Sequence, residues 1–393
     1  MLWGKVPGME LHFPPQQNYD CVQCGRGCQM SWDIPVEDPI EAQLREHPLT
    51  LRVIQEKGGS PLLHKKEGWV MQVDPGEPRC GYLENDLLCS IHKHIGVEAK
   101  PLICRLYPMI LTHTPEGVFV GSAYSCTAVR LNSGRNLEAH QADIEHLIER
   151  GAQLNRVGAD GLVVHGHWFT DWPSYRRFEE QLCQQASRLG WAQALEHAAL
   201  ALALAVADRP RSRSGTPQAW PDDAWPELAR QSPIAGRFQT CQGRMWEAIM
   251  PHLKPDLLGV EPALRPAYRQ AVTRLAAMGA PQLDRQSRPL AEELESQLER
   301  YLQHLVFRKQ LVMHPTLLSN LALLAFLPTF LRSWTRALAA QAEGEGQRDD
   351  FHWALDLCEK FLVYHSHSLR PTYQKVARQW VQWLAEESQA SRR

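Results

Sequence analysis

The sequence predicts a mainly α protein: a small cysteine-rich module of loops and short strands, followed by a larger all-α domain. Two observations carry that reading. Seven of the ten cysteines fall within the first 126 residues, a stretch rich in Gly and Pro with few helical periods. From about Asn136 onward, apolar residues recur at spacings of three and four, the pattern that lines one face of a helix. The expected divisions are a metal-binding or iron–sulfur module over residues 10–135, a helical segment over 136–208, a linker or mobile loop over 209–236, and a helical domain over 237–393.

Within the module, Trp69–Val73 and Val118–Val120 are apolar runs bounded by Gly or Pro, and they read as strands. Asp74-Pro75-Gly76 predicts a turn after the first strand. Glu84-Asn85-Asp86 predicts a tight turn that brings Cys80 and Cys89 towards each other. Such a segment has little core of its own and would lean on a bound metal to fold. Leu137, Ile144, Leu147 and Ile148 begin the helical part, and Ser174–Ala207 reads as one long helical region after Pro173. Arg209–Gly236 contains Pro-Arg-Ser-Arg-Ser-Gly-Thr-Pro and two Trp-Pro units, Trp220-Pro221 and Trp225-Pro226, hence the linker. Its tryptophans could close over a ligand or serve as plain docking anchors. Leu290, Leu294, Leu298, Tyr301 and Leu305 line a further helix, as do Val376, Trp380, Trp383 and Leu384. The apolar runs Ala198–Ala207 and Leu317–Phe330 are read as buried helices, since the first is too short for a bilayer and the second is broken by Pro328.

A formal net charge of −2 supplies no basic field for nucleic acid or an anionic membrane, so neither partner is expected. The N-terminus has no basic stretch leading into an apolar run, which argues against a secretory signal and for a cytoplasmic protein. In that reducing compartment, clustered cysteines point to metal ligation rather than disulfides. No P-loop or H-E-x-x-H helix is present, and no Gly-rich turn follows a strand, so a nucleotide-fold methyltransferase is not expected.

Cys21-Val-Gln-Cys24-Gly-Arg-Gly-Cys28 sets three thiols within one short knuckle, and Gly25 and Gly27 allow the positive φ that knuckles use. Cys80, Cys89, Cys104 and Cys126 lack knuckle spacing, and complete a candidate set of seven metal ligands with Cys21, Cys24 and Cys28. Thiolates are soft donors suited to zinc or iron–sulfur clusters. Seven suffice for one closed four-cysteine site and one open three-cysteine site. His92 and His94 are read as outer partners or solvent-facing side chains. His165-Gly-His167 and His365-Ser-His367 are weaker candidates still, with no third ligand nearby in sequence. Arg105 and Tyr107 flank Cys104 as candidate cofactor-binding residues; Arg105 could grip a carboxylate or instead form a structural ion pair.

Taken together, CxxCGxxC, Cys80 to His92 and Lys100-Pro-Leu-Ile-Cys104-Arg-Leu-Tyr107-Pro resemble the bacterial cysteine-cluster proteins described as zinc- or iron-chelating domains. Within that group the chain is most similar to the flagellin lysine N-methylase branch, through Cys28 with Trp32, Ile34 and Val36, through Ser125-Cys126, and loosely through Tyr301–Lys309. The wider family has adjacent cysteines where this chain has Gly27-Cys28. The resemblance implies a [4Fe–4S] cluster and methyl transfer from S-adenosylmethionine to a protein substrate presenting lysine. The alternative is a non-catalytic zinc- or iron-binding module for interaction or metal handling.

Overall fold

The computed structural model describes residues 9–29, 33–71, 79–158, 161–209, 218–221, 235–252, 265–277, 288–339, 347–364 and 369–390. The protein is mainly α, with small sheets. Trp32, Gln72, Val73, the Asp74-Pro75-Gly76 turn, Trp225, His365 and His367 lie outside the described residues.

The chain divides into two compact units. The first draws on Met1–Leu111 and Val120–Asn155, the second on Thr112–Phe119, Arg156–Pro255 and Arg265–Arg393. Helix Gln141–Glu149 belongs with the first unit, where it packs on helix Leu102–Leu106.

In the first unit, helices Asp38–Arg45 and Pro48–Lys57 accompany a three-stranded antiparallel sheet of Ile34–Pro35, Gly68–Met71 and Leu62–Lys65. The second helix starts at Pro48, after His47 whose Nδ1 accepts from Leu49 N at 3.1 Å, and stops at left-handed Gly58. Ile40, Leu44, Leu49, Val53, Leu62 and Met71 form the apolar core, and Cys80 is buried within it. The expected strands are found as Gly68–Met71 and Gly117–Ser122.

The second unit is built on long helices. Asp171 caps Trp172–Leu189, its carboxylate accepting from Ser174 N at 2.8 Å. Gly190, at φ 84°, ends that helix and starts Trp191–Ala207, so the helical region expected from Ser174 to Ala207 is present as two consecutive helices. The freed N–H groups of Trp191 and Ala192 both donate to Glu299 on helix Glu292–Phe307. Leu317–Ala339 is long and apolar enough to cross a membrane, but it is buried among Trp191–Ala207, Gln347–Leu357 and Arg370–Ala390. Between the last two lies a π-helical turn, Cys358–Tyr364.

Where it is described, the expected linker is part of this unit. Gln218-Ala219 pairs in parallel with Trp168-Phe169. Trp220 is buried edge-on to Trp168, and Arg209 lies over both rings at 5.2 and 5.8 Å. Trp220 is thus committed to packing. The sequence pattern missed this because a two-residue strand has no period to read.

Candidate metal centre

Cys21, Cys24, Cys28, Cys80, Cys89, Cys104 and Cys126 all belong to the first unit, while Cys183, Cys241 and Cys358 belong to the second. The local backbone arranges the seven in two ways.

Cys28 ends a short 3₁₀ turn, Arg26–Cys28, entered through Gly25 at φ 65°. A Cβ at Gly25 would stand 2.9 Å from the Leu87 carbonyl oxygen, so both conformation and space call for glycine. The Cys28 carbonyl accepts from Cys80 N at 2.7 Å, which ties the knuckle to the second cysteine run. From Cys80 the chain turns tightly: Leu83 N donates to Cys80 O at 3.0 Å, Glu84 N to Leu88 O at 2.9 Å, and Leu83 bridges Cys89. The turn expected at Glu84–Asp86 is therefore present and does bring Cys80 and Cys89 together. Tyr82 fixes the loop from inside. Its hydroxyl is 2.8 Å from Thr50 Oγ1, and its carbonyl accepts from both Ser90 N and Ser90 Oγ, at 2.8 and 2.9 Å. Cys104 rides on helix Leu102–Leu106, whose first N–H is shared by both Glu37 carboxylate oxygens at 3.2 Å.

These four thiols lie in one another's electrostatic reach. Burial first, and then Cys80 and Cys89, push the Cys28 thiol up to about 12, and burial holds Cys80 at about 11 and Cys104 well above the ordinary thiol range. Lys100 opposes the rise at Cys28, Cys80 and Cys104. Thiols raised in this way keep their protons at neutral pH.

Cys21, Cys24 and Cys126 gather differently. Residues 16–20 run as a strap against residues 132–137. Tyr19 N donates to Arg135 O at 2.8 Å, Asp20 N to Ser133 O at 3.0 Å, and Leu137 N to Gln17 O at 2.8 Å. Asn132 Oδ1 accepts from Asn18 N at 2.7 Å and from Gln17 Nε2 at 3.0 Å, and Arg135 Nη2 donates to Asp20 Oδ1 at 2.8 Å. The strap delivers Cys24 to Thr127, Sγ to Oγ1 at 3.5 Å, beside Cys126. Cys126 precedes helix Thr127–Leu131, and the N–H groups of Val129 and Ala128 partly offset the burial that raises its thiol to about 11. The Tyr19 hydroxyl is hydrogen-bonded to Cys21; burial foremost, then Cys126 and Cys21, keep it protonated well beyond the usual tyrosine range.

Among the described residues, no three His, Cys, Asp or Glu side chains stand in a ready coordination geometry. What the first unit supplies is the donor type alone: seven thiols, the soft ligands that zinc and iron–sulfur clusters use.

The other candidates are placed as follows. Arg105 is occupied, both arms of its guanidinium donating to Glu98 at 2.7 and 2.8 Å, with Arg150 on the same carboxylate at 3.2 Å. That is the ion-pair arrangement, one of the two roles the sequence offers for Arg105. Tyr107 lies over Gly27, where a Cβ would come 2.9 Å from its ring, and its hydroxyl is 3.3 Å from Ser125 Oγ. His94 is bonded to Glu84 at 2.9 Å within a surface charge group that includes Lys93 and Asp86, and His92 is exposed. His165, in the second unit, is held neutral to about 4 by burial and by Arg378. Sequence reading did not single out Tyr19 or Thr127, which lie two residues before Cys21 and directly after Cys126, and it quoted Lys100 only as the start of the motif that runs to Cys104. No known family, curated protein or solved structure matches this chain.

Proposed function

We propose that the protein binds a thiophilic metal, as an iron–sulfur cluster or zinc, through its seven N-terminal cysteines. The observation that supports this most is the gathering of seven of the ten cysteines in one unit, where Cys80 N donates to Cys28 O at 2.7 Å and Leu83 bridges Cys89. Bare thiols gain nothing from such crowding, whereas thiolates sharing a cation do.

The enzymatic form of the proposal follows from the family resemblance. A [4Fe–4S] cluster with one iron free of protein ligands supplies a chelation point for the amino and carboxylate groups of S-adenosylmethionine. On this reading the activity is methyl transfer from S-adenosylmethionine to a lysine of a protein substrate, and the chain acts as a protein lysine N-methylase. The residues of the first unit would hold the cluster and exclude water from it. Tyr107 packs over Gly27 and is bonded to Ser125, between the residues that precede Cys28 and Cys126.

The test is metal and acid-labile sulfide content on protein purified without oxygen. Roughly four irons with matching sulfide per chain support the cluster, and saturable S-adenosylmethionine binding by that protein supports the methylase. Zinc without sulfide removes the methylase reading and leaves a zinc-bound interaction module. Protein that takes up neither metal after reconstitution overturns the proposal altogether.

A further inference from the structure

We infer that the second unit carries a binding site of its own, a cleft between helices Ala235–Ile249 and Arg370–Ala390 that takes a small zwitterion, an α-amino acid with an aromatic side chain. No cysteine lines this cleft, so the inference stands apart from the thiolate reading.

Both helices turn one face to the cleft. Arg244, Glu247 and Ala248 stand three and four residues apart on the first helix. On the second, Lys375, Val376, Gln379, Trp383 and Glu386 follow at steps of one, three, four and three, which keeps them on one side for about three turns. The helices pack on each other, and Val376 between them is buried. The space they enclose is about 610 Å³, within the roughly 300–1,000 Å³ that small-molecule sites occupy.

The aromatic part of the lining is Trp383. By spacing it belongs with Val376 and Trp380, yet those two are covered and Trp383 is only half-buried. The Arg244 guanidinium lies over its ring, 5.6 Å from the centroid. Among the described residues, the side chains of Arg244, Glu247 and Lys375 take part in no ion pair and no hydrogen bond. Glu386 accepts from Gln382 Nε2 at 3.1 Å.

The charges decide the ligand. Arg244 and Lys375 share the cleft with Glu247 and Glu386, so a simple anion or cation would meet as many repelling charges as attracting ones. A zwitterion uses both signs. Its carboxylate suits the fork of Arg244, and its ammonium suits Glu247, one turn further along the same helix. Residues three apart on a helix are neighbours, about 5–6 Å between Cβ atoms, a spacing that two charged groups on one α-carbon can bridge. With its charges held there, the ligand's side chain reaches the Trp383 ring that Arg244 already touches, and this favours an aromatic one.

The test is isothermal titration calorimetry of the full chain with L-phenylalanine and L-tryptophan, which should bind saturably. L-Alanine lacks the ring, N-acetyl-L-phenylalanine the ammonium, and L-phenylalaninamide the carboxylate. Each should bind about tenfold or more weakly than L-phenylalanine, which is the worth of one charged hydrogen bond. The last two also imitate the ends of a peptide, and so separate a free amino acid from a chain terminus. Arg244→Gln and Glu247→Gln should each weaken L-phenylalanine by a similar factor. Both side chains are exposed, so these variants should keep wild-type circular dichroism. A wild type that binds neither aromatic amino acid would overturn the proposal. Either capped derivative binding as tightly as L-phenylalanine would overturn the zwitterion. Wild-type affinity in both variants would place the binding elsewhere and overturn the site.

Discussion

Glu359 is the place to perturb the helical unit. It sits in the π-helical turn, almost wholly buried, where its two carboxylate oxygens accept from Arg308 Nη1 and from the Tyr301 hydroxyl, both at 2.7 Å. Arg308 is equally buried, and its carbonyl accepts from Thr112 Oγ1 at 3.1 Å. Glu359→Gln keeps the shape and an acceptor for Tyr301, but leaves the guanidinium charge buried without its counter-ion. Breaking a buried pair by removing one partner costs about 3–5 kcal/mol. At roughly tenfold per 1.4 kcal/mol, the unfolding equilibrium should shift by between about a hundredfold and several thousandfold.

The assay is urea denaturation followed by tryptophan fluorescence, because Trp334 and Trp380 are fully buried in this unit. The pair Arg308→Met and Glu359→Gln completes a double-mutant cycle. With both charges gone, the double variant should be more stable than Glu359→Gln alone by about 2 kcal/mol or more, since neutral replacements of a buried pair are tolerated. A Glu359→Gln variant within about 1 kcal/mol of wild type would refute the argument. So would a double variant whose loss equals the sum of the two singles, because that additivity would show the charges are not coupled.

Gly134→Ala should loosen the strap that carries Cys21 and Cys24. Gly134 has φ 98°, and a Cβ there would lie 2.4 Å from Asp20 N, so a loss of more than about 1 kcal/mol is expected, together with reduced metal retention; wild-type metal content under chelator challenge would contradict this. Glu196 predicts a pH dependence in the second unit. Burial, opposed by Arg332, raises its carboxyl to about 7, so the fold favours the protonated form. Its contribution is fully present below about 4.5 and is lost as the pH climbs towards 7. Glu196→Gln should therefore melt above wild type at pH 8 and converge with it near pH 4; a difference independent of pH would count against the assignment.

The helices were legible wherever one face had to be apolar over several turns. Leu294, Leu298, Tyr301 and Leu305 are buried as their spacing required, and so are Val376 and Trp380. What periodicity could not show was where a single residue breaks a run, as Gly190 does, or where two residues join a sheet, as Gln218 and Ala219 do. The grouping of the cysteines was equally hidden. Cys24 and Cys28 are neighbours in sequence, yet Cys24 meets Thr127 while Cys28 is bonded to Cys80. Those partners are set by pairings more than 50 residues apart in the chain, which local spacing cannot encode.

Gly27 joins the sequence pattern to that geometry. The resemblance read from the sequence would place a cysteine doublet at this point and make Gly27 a missing ligand. In this fold the space beside Gly27 is already filled: a Cβ would approach Tyr107 Cε1 to 2.9 Å, and the ring's hydroxyl is anchored at Ser125. Glycine at 27 and tyrosine at 107 are therefore steric complements. The aromatic ring takes the volume that a side chain at position 27 would need. A side chain at 27 would have to displace Tyr107 from Ser125, next to Cys126. Gly27 is therefore set by packing against Tyr107.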